Sequence, residues 1–257
     1  MITHANASDL SKTNICKITY LLCAIITMTI TILKGGFDAI NQAIYRLLSQ
    51  QISIIIKLSL IQNSLCYIPF ILLLTVCMSL LLTCKNKKKQ ACQLVTSVSM
   101  AFVVCFALKH AIHYPRPEHI ANFLGNQSLP SGHTCLATAF ILAYQSISKN
   151  KKTYKYCGEI FIIATMLSRI ALGAHWVSDV LLGWMIGYLS HLASQVVVQE
   201  TDIMPIVTTF EKLLISQLNH GLVSISKGKL LSYYCLLAIL YAIAAKKLSI
   251  APYLLQG

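Results

Sequence analysis

The sequence predicts an all-α, polytopic membrane helix bundle with a six-span core, and three observations carry that expectation. Of 257 residues, 56% are hydrophobic and 11% charged, with a mean hydropathy of +0.67, whereas a soluble domain carries about a quarter charged residues. Apolar runs of the length that crosses a bilayer, about 20 residues, recur along the chain. The polar segments between them are short, so residues 1–257 read as one integral-membrane domain.

The first run, 15–33, follows Lys12 and Lys17. It is longer than a signal-peptide core and lacks a small-x-small cleavage site, so it is expected to stay as an uncleaved span. The stretch 37–48 sets Phe37, Ile40, Ile44, Leu47 and Leu48 on one helical face and Asp38, Gln42 and Arg46 on others. That pattern predicts an amphipathic helix at the membrane surface. Spans over 62–83, 91–111, 132–148, 157–174 and 177–197 complete the six. Further on, Phe210, Leu213, Leu214 and Leu218 form a weaker amphipathic face, and the shorter apolar run 230–245 leaves a possible seventh helix open.

Orientation follows from the lysines. Lys12 and Lys17 precede the first span, Lys85, Lys87, Lys88 and Lys89 follow the second, and Lys149, Lys151, Lys152 and Lys155 follow the fourth. With every span crossing, all three groups fall on one side, which the positive-inside rule makes the cytoplasm. The net charge of +13 is dispersed over these loops and reads as membrane orientation, not as a nucleic-acid surface. The ten cysteines lie mostly within apolar runs and form no CxxC pair. They read as small, soft hydrophobes, with neither zinc nor a disulfide framework indicated.

On that map the unusual polar residues gather at the opposite face. Lys109 and Arg116-Pro117 end the third span, and Pro130, Ser131, Gly132 and His133 open the fourth. Ser168 and Arg169 close the fifth, and His175 and Asp179 begin the sixth. Three cations, two histidines and a carboxylate at one membrane depth are costly unless they bind something. Their net positive character predicts an anion, with phosphate the common case. Taken singly each has a plainer role: Lys109 could snorkel to the interface, and Ser131 could be only a helix cap.

The local spacings make chemical sense. His175 and Asp179 stand at i and i+4, one helical face, where a carboxylate can hold one imidazole nitrogen protonated and leave the other free as a nucleophile. Gly173 would let the chain reverse between the fifth and sixth spans. Pro130 and Gly132 keep side chains away from a helix start whose N–H groups can face an anion. A catalytic metal finds little support, since only Glu118 and Asp179 of eight acidic residues fall near the cluster. His110, His113 and His119 lie nearby as helix-end or substrate-lining groups.

Together, Lys109-x6-Arg116-Pro117, Pro130-Ser131-Gly132-His133 and Ser168-Arg169-x5-His175-x3-Asp179 resemble the three-part signature of the type 2 phosphatidic-acid phosphatase superfamily. These are membrane lipid phosphatases related in their core to vanadium haloperoxidases. The signature covers 109–179 with all parts in order and at family spacing. The resemblance implies that Lys109, Arg116 and Arg169 bind the phosphoryl oxygens, helped by Ser131 and the Gly132 N–H. His175 would then attack phosphorus with Asp179 orienting it, and His133 would protonate the leaving alcohol and activate water. It implies no metal or organic cofactor, and a phosphohistidine intermediate.

The implied substrate is a membrane lipid phosphate: phosphatidylglycerol phosphate, phosphatidic acid, undecaprenyl diphosphate or lipid A. By analogy with compact bacterial members, the chain is expected in an inner (cytoplasmic) membrane, its N-terminus cytoplasmic and its site on the periplasmic or outer face. Two alternatives stand beside this reading: peroxidase chemistry with vanadate in the same pocket, and a non-catalytic protein that binds or moves a lipid phosphate. The segments 118–128 and 37–48 are the expected selectivity elements.

Overall fold

A computed structural model describes residues 2–49, 53–117, 127–148 and 151–200. Among these, every regular element is a helix: α1 (Ile2–Leu33), α2 (Asp38–Ser49), α3 (Ser53–Leu65), α4 (Ile68–Cys84), α5 (Lys88–Ile112), α6 (Gly132–Ile147), α7 (Lys151–Ala171) and α8 (Val177–Glu200). The expected helices around 210–218 and 230–245, and the residues Glu118 and His119, lie outside the described residues.

The bundle is organised around α6 and α8. Helix α6 is buried on nearly every side, through Gly132, Cys135, Leu136, Ala139, Phe140 and Ala143 among others, as an enclosed core helix must be. It packs on α4, α5, α7 and α8, while α8 packs on α1, α5 and α6. Small residues make the α6–α8 contact close. A Cβ added at Gly183 would come within 2.6 Å of the Ser131 carbonyl oxygen, and one at Gly187 would strike the Cys135 carbonyl oxygen. The two glycines are four residues apart, the small-xxx-small spacing by which membrane helices approach backbone to backbone.

Helix α5 presents Ala91, Leu94, Val98, Ala101 and Cys105 as one buried stripe, recurring every three or four residues. The next position in that series is Lys109, which the stripe delivers to the end of the helix facing α6. Outward faces carry the reverse pattern. Ile26, Ile30 and Leu33 on α1, Val103 and Phe106 on α5, and Ile160, Ile163 and Leu167 on α7 are all exposed. Such apolar stripes on a compact bundle are the surface a bilayer covers.

Among the described residues, three helices are long and apolar enough to cross a membrane: Thr13–Leu33, Lys88–Ile112 and Val177–Glu200. A fourth crossing results if α3 and α4, bent by 42° at their junction, count as one broken span. The described residues thus give three or four such spans where the sequence predicts six. The single span expected over 62–83 is broken because Pro69 stands in the first turn of α4. Proline lacks an N–H and clashes with the carbonyl four residues back, which is Leu65, the end of α3. Helix α6 has only 16 residues, about 24 Å at 1.5 Å per residue, because it is walled by protein and presents little surface to lipid.

The amphipathic helix expected over 37–48 is present as α2, but a polar residue fastens it. Asn41 is buried; its Nδ2 donates to Ser178 Oγ (3.0 Å) and its Oδ1 accepts from the Ser178 N–H (3.1 Å). Ile40 and Leu47 of the expected apolar face stay exposed. Helix α2 is thereby pinned to the first turn of α8.

Replacing Gly183 by Val is expected to force α6 and α8 apart. Overpacking of this kind costs about 1–3 kcal/mol, so the unfolding midpoint in detergent should fall by roughly 2–12 °C. An unchanged midpoint would show that the close approach does not support the bundle.

Candidate active site

The signature residues meet where α5 and α7 end and where α6 and α8 begin. The last turn of α7 stops in a Schellman motif: Gly173 N–H donates to Ile170 O (2.9 Å) and Ala174 N–H to Arg169 O (3.1 Å). Gly173 has φ +64°, the left-handed conformation that this cap requires and glycine adopts freely. His175 N–H also reaches Arg169 O (3.3 Å). The turn expected from Gly173 is therefore present, and it clamps His175 beside the backbone of Arg169.

His175 and Asp179 are both buried. Asp179 Oδ2 stands 3.3 Å from His175 Nδ1 and accepts the Trp176 N–H (2.8 Å). It also accepts from Ser128 Oγ, which itself stands 3.4 Å from His175 Nδ1. With Nδ1 donating to this carboxylate, Nε2 keeps its lone pair. That nitrogen faces Arg116 Nη1 at 3.4 Å. Burial foremost, then the charges of Arg116, Lys109, Arg169 and His133, holds the His175 imidazole well below its ordinary pKa of 6.5. Near neutral pH the ring is uncharged, as an attacking group must be.

Two cations converge on one carbonyl. Lys109 Nζ donates to Gln127 O (2.7 Å) and Ser128 O (3.1 Å), and Arg116 Nη2 donates to the same Gln127 O (3.0 Å). Arg116 Nη1 also donates to Ala174 O (2.6 Å). These bonds tie the 113–117 loop, the 127–131 segment and the α7–α8 turn together, reinforced by Ser128 N–H on Tyr114 O (2.8 Å). The third cation, Arg169, is buried and donates through Nη1 to Asn63 Oδ1 of α3. Its Nε is buried and makes no hydrogen bond among the described residues.

Ser131 and Gly132 begin α6. Ser131 occupies the N-cap position, yet its side chain caps no backbone N–H. Its hydroxyl accepts from Thr134 Oγ1 (3.1 Å), and its own N–H donates to Asp179 O (3.0 Å). The simple capping role is thus replaced by a tie to α8, and the first-turn N–H groups of α6 are left to other partners. Gly132 lies against Lys109: an added Cβ would stand 3.9 Å from Lys109 Cε and 3.0 Å from Ile68 Cδ1. His133 follows, half-buried.

All eight residues singled out from the sequence therefore lie in one neighbourhood. His110 and His113 do not join it. His110 lies tilted against Phe106 with ring centroids 4.0 Å apart, and His113 is the exposed left-handed cap of α5. Among the described residues no three of His, Cys, Asp and Glu gather as a metal-ligand group. Ser128, the Gln127 carbonyl and Asn63 are further members that spacing did not reveal. Asn63 alone left a trace, as half of a Gln-Asn pair in an apolar stretch.

Comparison with known proteins agrees with this geometry. Residues 90–202 match the family model described as PAP2 superfamily. The whole signature, 109–179, falls inside that matched segment. A curated relative, an undecaprenyl-diphosphatase of Sulfolobus acidocaldarius, is 29% identical over 126 residues. That match takes in 46% of this chain and spans 60% of the relative's length. A solved structure, the transmembrane PAP2-type phosphatidylglycerolphosphate phosphatase of Bacillus subtilis, shares the fold with a TM-score of 0.62 at 21% identity. The alignment covers 69% of this chain and 94% of that one. The apolar helices and this fold define an integral membrane protein.

Because the folded-state pKa of His175 lies below 6.5, the folded chain binds fewer protons than the unfolded one. Its contribution to stability is whole above about pH 6.5 and is lost as pH falls below that value. The unfolding midpoint should drop between about pH 7 and about pH 5, and His175→Gln should flatten part of the drop. Equal slopes for the two proteins would remove the assignment of a buried neutral imidazole.

Proposed function

We propose that the protein is a metal-independent lipid phosphate phosphatase, hydrolysing a phosphomonoester or diphosphate of a membrane lipid through a phosphohistidine intermediate. The observation that carries this reading is the His175 geometry: Nδ1 faces Asp179 at 3.3 Å while Nε2 is turned toward Arg116 at 3.4 Å. Anion binding alone needs no oriented, neutral imidazole, so the arrangement favours catalysis over transport.

In the proposed reaction the phosphoryl group sits among Lys109, Arg116, Arg169 and the first turn of α6. The buried Nε of Arg169 and the N–H groups behind Ser131 donate to its equatorial oxygens. Fixed donors of this kind stabilise transition-state charge without reorganising. His175 Nε2 attacks phosphorus, the P–O bond to the lipid breaks, and His133 gives its proton to the departing oxygen. His133 then takes a proton from water, whose oxygen attacks the phosphohistidine. The P–N bond breaks, inorganic phosphate leaves, and His175 is neutral again. Asp179 holds the Nδ1 proton throughout and stabilises the charge the ring acquires.

The site's place in the membrane follows from α5. Lys88 starts that helix and Lys109 lies in its last turn, so the lysine-rich 85–89 segment and the site are at opposite ends. By the positive-inside rule a lysine-rich end is cytoplasmic, which supports the reading of a site at the outer face. The candidate substrates remain phosphatidylglycerol phosphate, phosphatidic acid, undecaprenyl diphosphate and lipid A.

Purified protein in detergent is expected to release phosphate from at least one of these lipids, with a rate unchanged by EDTA. His175→Ala should abolish release, and His133→Ala should lower it by about 10²–10⁴-fold. A rapid quench with labelled substrate should find acid-labile phosphate on His175 and none in His175→Ala. Loss of activity in EDTA, or no release from any of the four lipids, would refute the reading.

A further inference from the structure

Beside the phosphate cluster lies a cleft of about 300 Å³, bounded by the end of α1, the first turns of α2 and the 113–117 loop. Its wall includes Leu33, Asp38, Gln42, Tyr114, Pro115 and Trp176. Pro115 precedes Arg116 and Trp176 follows His175, and the Trp176 Nε1–H donates to Pro115 O (2.9 Å). The cleft and the catalytic cluster therefore share a partition. Resting on the phosphatase reading above, we infer that this cleft is a subsite for the hydroxyl-bearing head group, glycerol or sugar, of the lipid whose phosphate is removed.

The chemistry of the wall selects that class. Among the described residues it has a carboxylate, amides, a phenol and an indole, but no Lys, Arg or His, a lining that suits hydroxyls better than a second phosphate. Tyr114 OH donates to Asp38 Oδ1 (3.3 Å), and a carboxylate has further lone pairs for ligand hydroxyls. Part-burial, with the negative charges of Asp38 and Asp179, pushes the Tyr114 hydroxyl up to about 12, so it remains a donor. The other Asp38 oxygen lies over Gly35, where a Cβ would stand 3.0 Å from it, and the missing side chain keeps that oxygen open to the cleft. A carboxylate beside an indole could also take an ammonium group. Glycerophospholipids with amino-alcohol head groups are phosphodiesters, however, and bring no terminal phosphoryl group to His175.

Size and position point to a lipid head group. A volume near 300 Å³ is at the low end for small-molecule pockets, enough for a head group but not for acyl chains. Those chains have a path: Leu22, Ile26, Ile30 and Leu33 form an exposed stripe along α1, and its last residue lines the cleft. A lipid lying on that stripe has its polar end at Asp38. Helix α2 is held in place for this by Asn41 on Ser178 and by Tyr45, whose ring packs edge-on against Trp176 at 5.6 Å.

The test measures kcat/KM in detergent on two probes: phosphatidylglycerol phosphate, which has a glycerol hydroxyl near the scissile phosphate, and undecaprenyl diphosphate, which has none. Asp38→Ala should lower the value on the glycerol lipid by about 10- to 100-fold, the loss expected for a hydrogen bond to a charged acceptor. Tyr114→Phe should lower it by about 2- to 10-fold, and Asp38→Asn, which keeps an acceptor oxygen, should restore part of the loss. On the prenyl diphosphate each variant should stay within about 2-fold of the wild type. Parallel losses on both probes, no loss on either, or a wild type that prefers the prenyl diphosphate would overturn the subsite while leaving a phosphatase. No release from either probe by the wild type removes the subsite, and phosphatidic acid and lipid A then decide whether the phosphatase reading survives.

Discussion

The close approach of α6 and α8 is the constraint on which the rest depends. Two carbonyls of α6, those of Ser131 and Cys135, occupy the space where side chains of residues 183 and 187 would stand. Only at that separation can the Ser131 N–H reach the Asp179 carbonyl at 3.0 Å. This single bond sets the height of the α6 start against the start of α8, and so the height of an anion-facing backbone against the His175–Asp179 pair. In a bilayer, where apolar side chains gain little by leaving lipid for protein, such backbone contact is a main source of helix association. The same economy of side chain that makes the bundle compact also fixes its chemistry.

Alternating helix direction then matches every charge to a helix end. Lys109 and Arg169 stand in the last turns of α5 and α7, and Asp179 in the first turn of α8. Each therefore sits where the partial charge of the helix terminus favours its sign, typically by 0.3–1 kcal/mol. The start of α6 contributes no acidic residue, so its positive end faces the cations unopposed. That is unfavourable on its own account and is relieved in part by lending Lys109 and Arg116 to backbone carbonyls. Half-buried cations held this way cost less than bare ones.

Much of this was legible in the sequence because charged residues inside an apolar chain are expensive and hence conspicuous. Lys109, Arg116, His133, Arg169, His175 and Asp179 stood out for that reason, and counting spans put them at one face. What escaped was carried by residues whose chemistry is ordinary. Ser128 is one serine among many, and nothing in its spacing shows that it bridges Asp179 and His175. Gly183 and Gly187 matter for atoms they lack, which becomes visible only when α6 is laid against them. Pro69 was present to be read, but hydropathy over 62–83 is continuous across it, and periodicity alone hides a break. Ser131 misled in the other direction: the residue type suits a cap, while burial and Thr134 turned its hydroxyl elsewhere.

The cap at the end of α7 has a mechanical consequence. Arg169 O receives both the Ala174 and the His175 N–H groups, so the backbones of Arg169 and His175 form one unit at the end of α7. If α7 slides or tilts as the bilayer thickens or thins, the two travel together and their spacing is preserved. The strain of such a movement falls instead on the seams to other helices, at Asn63 on one side and Ala174–Arg116 on the other. Both seams rest on an arginine side chain, not on backbone–backbone bonds.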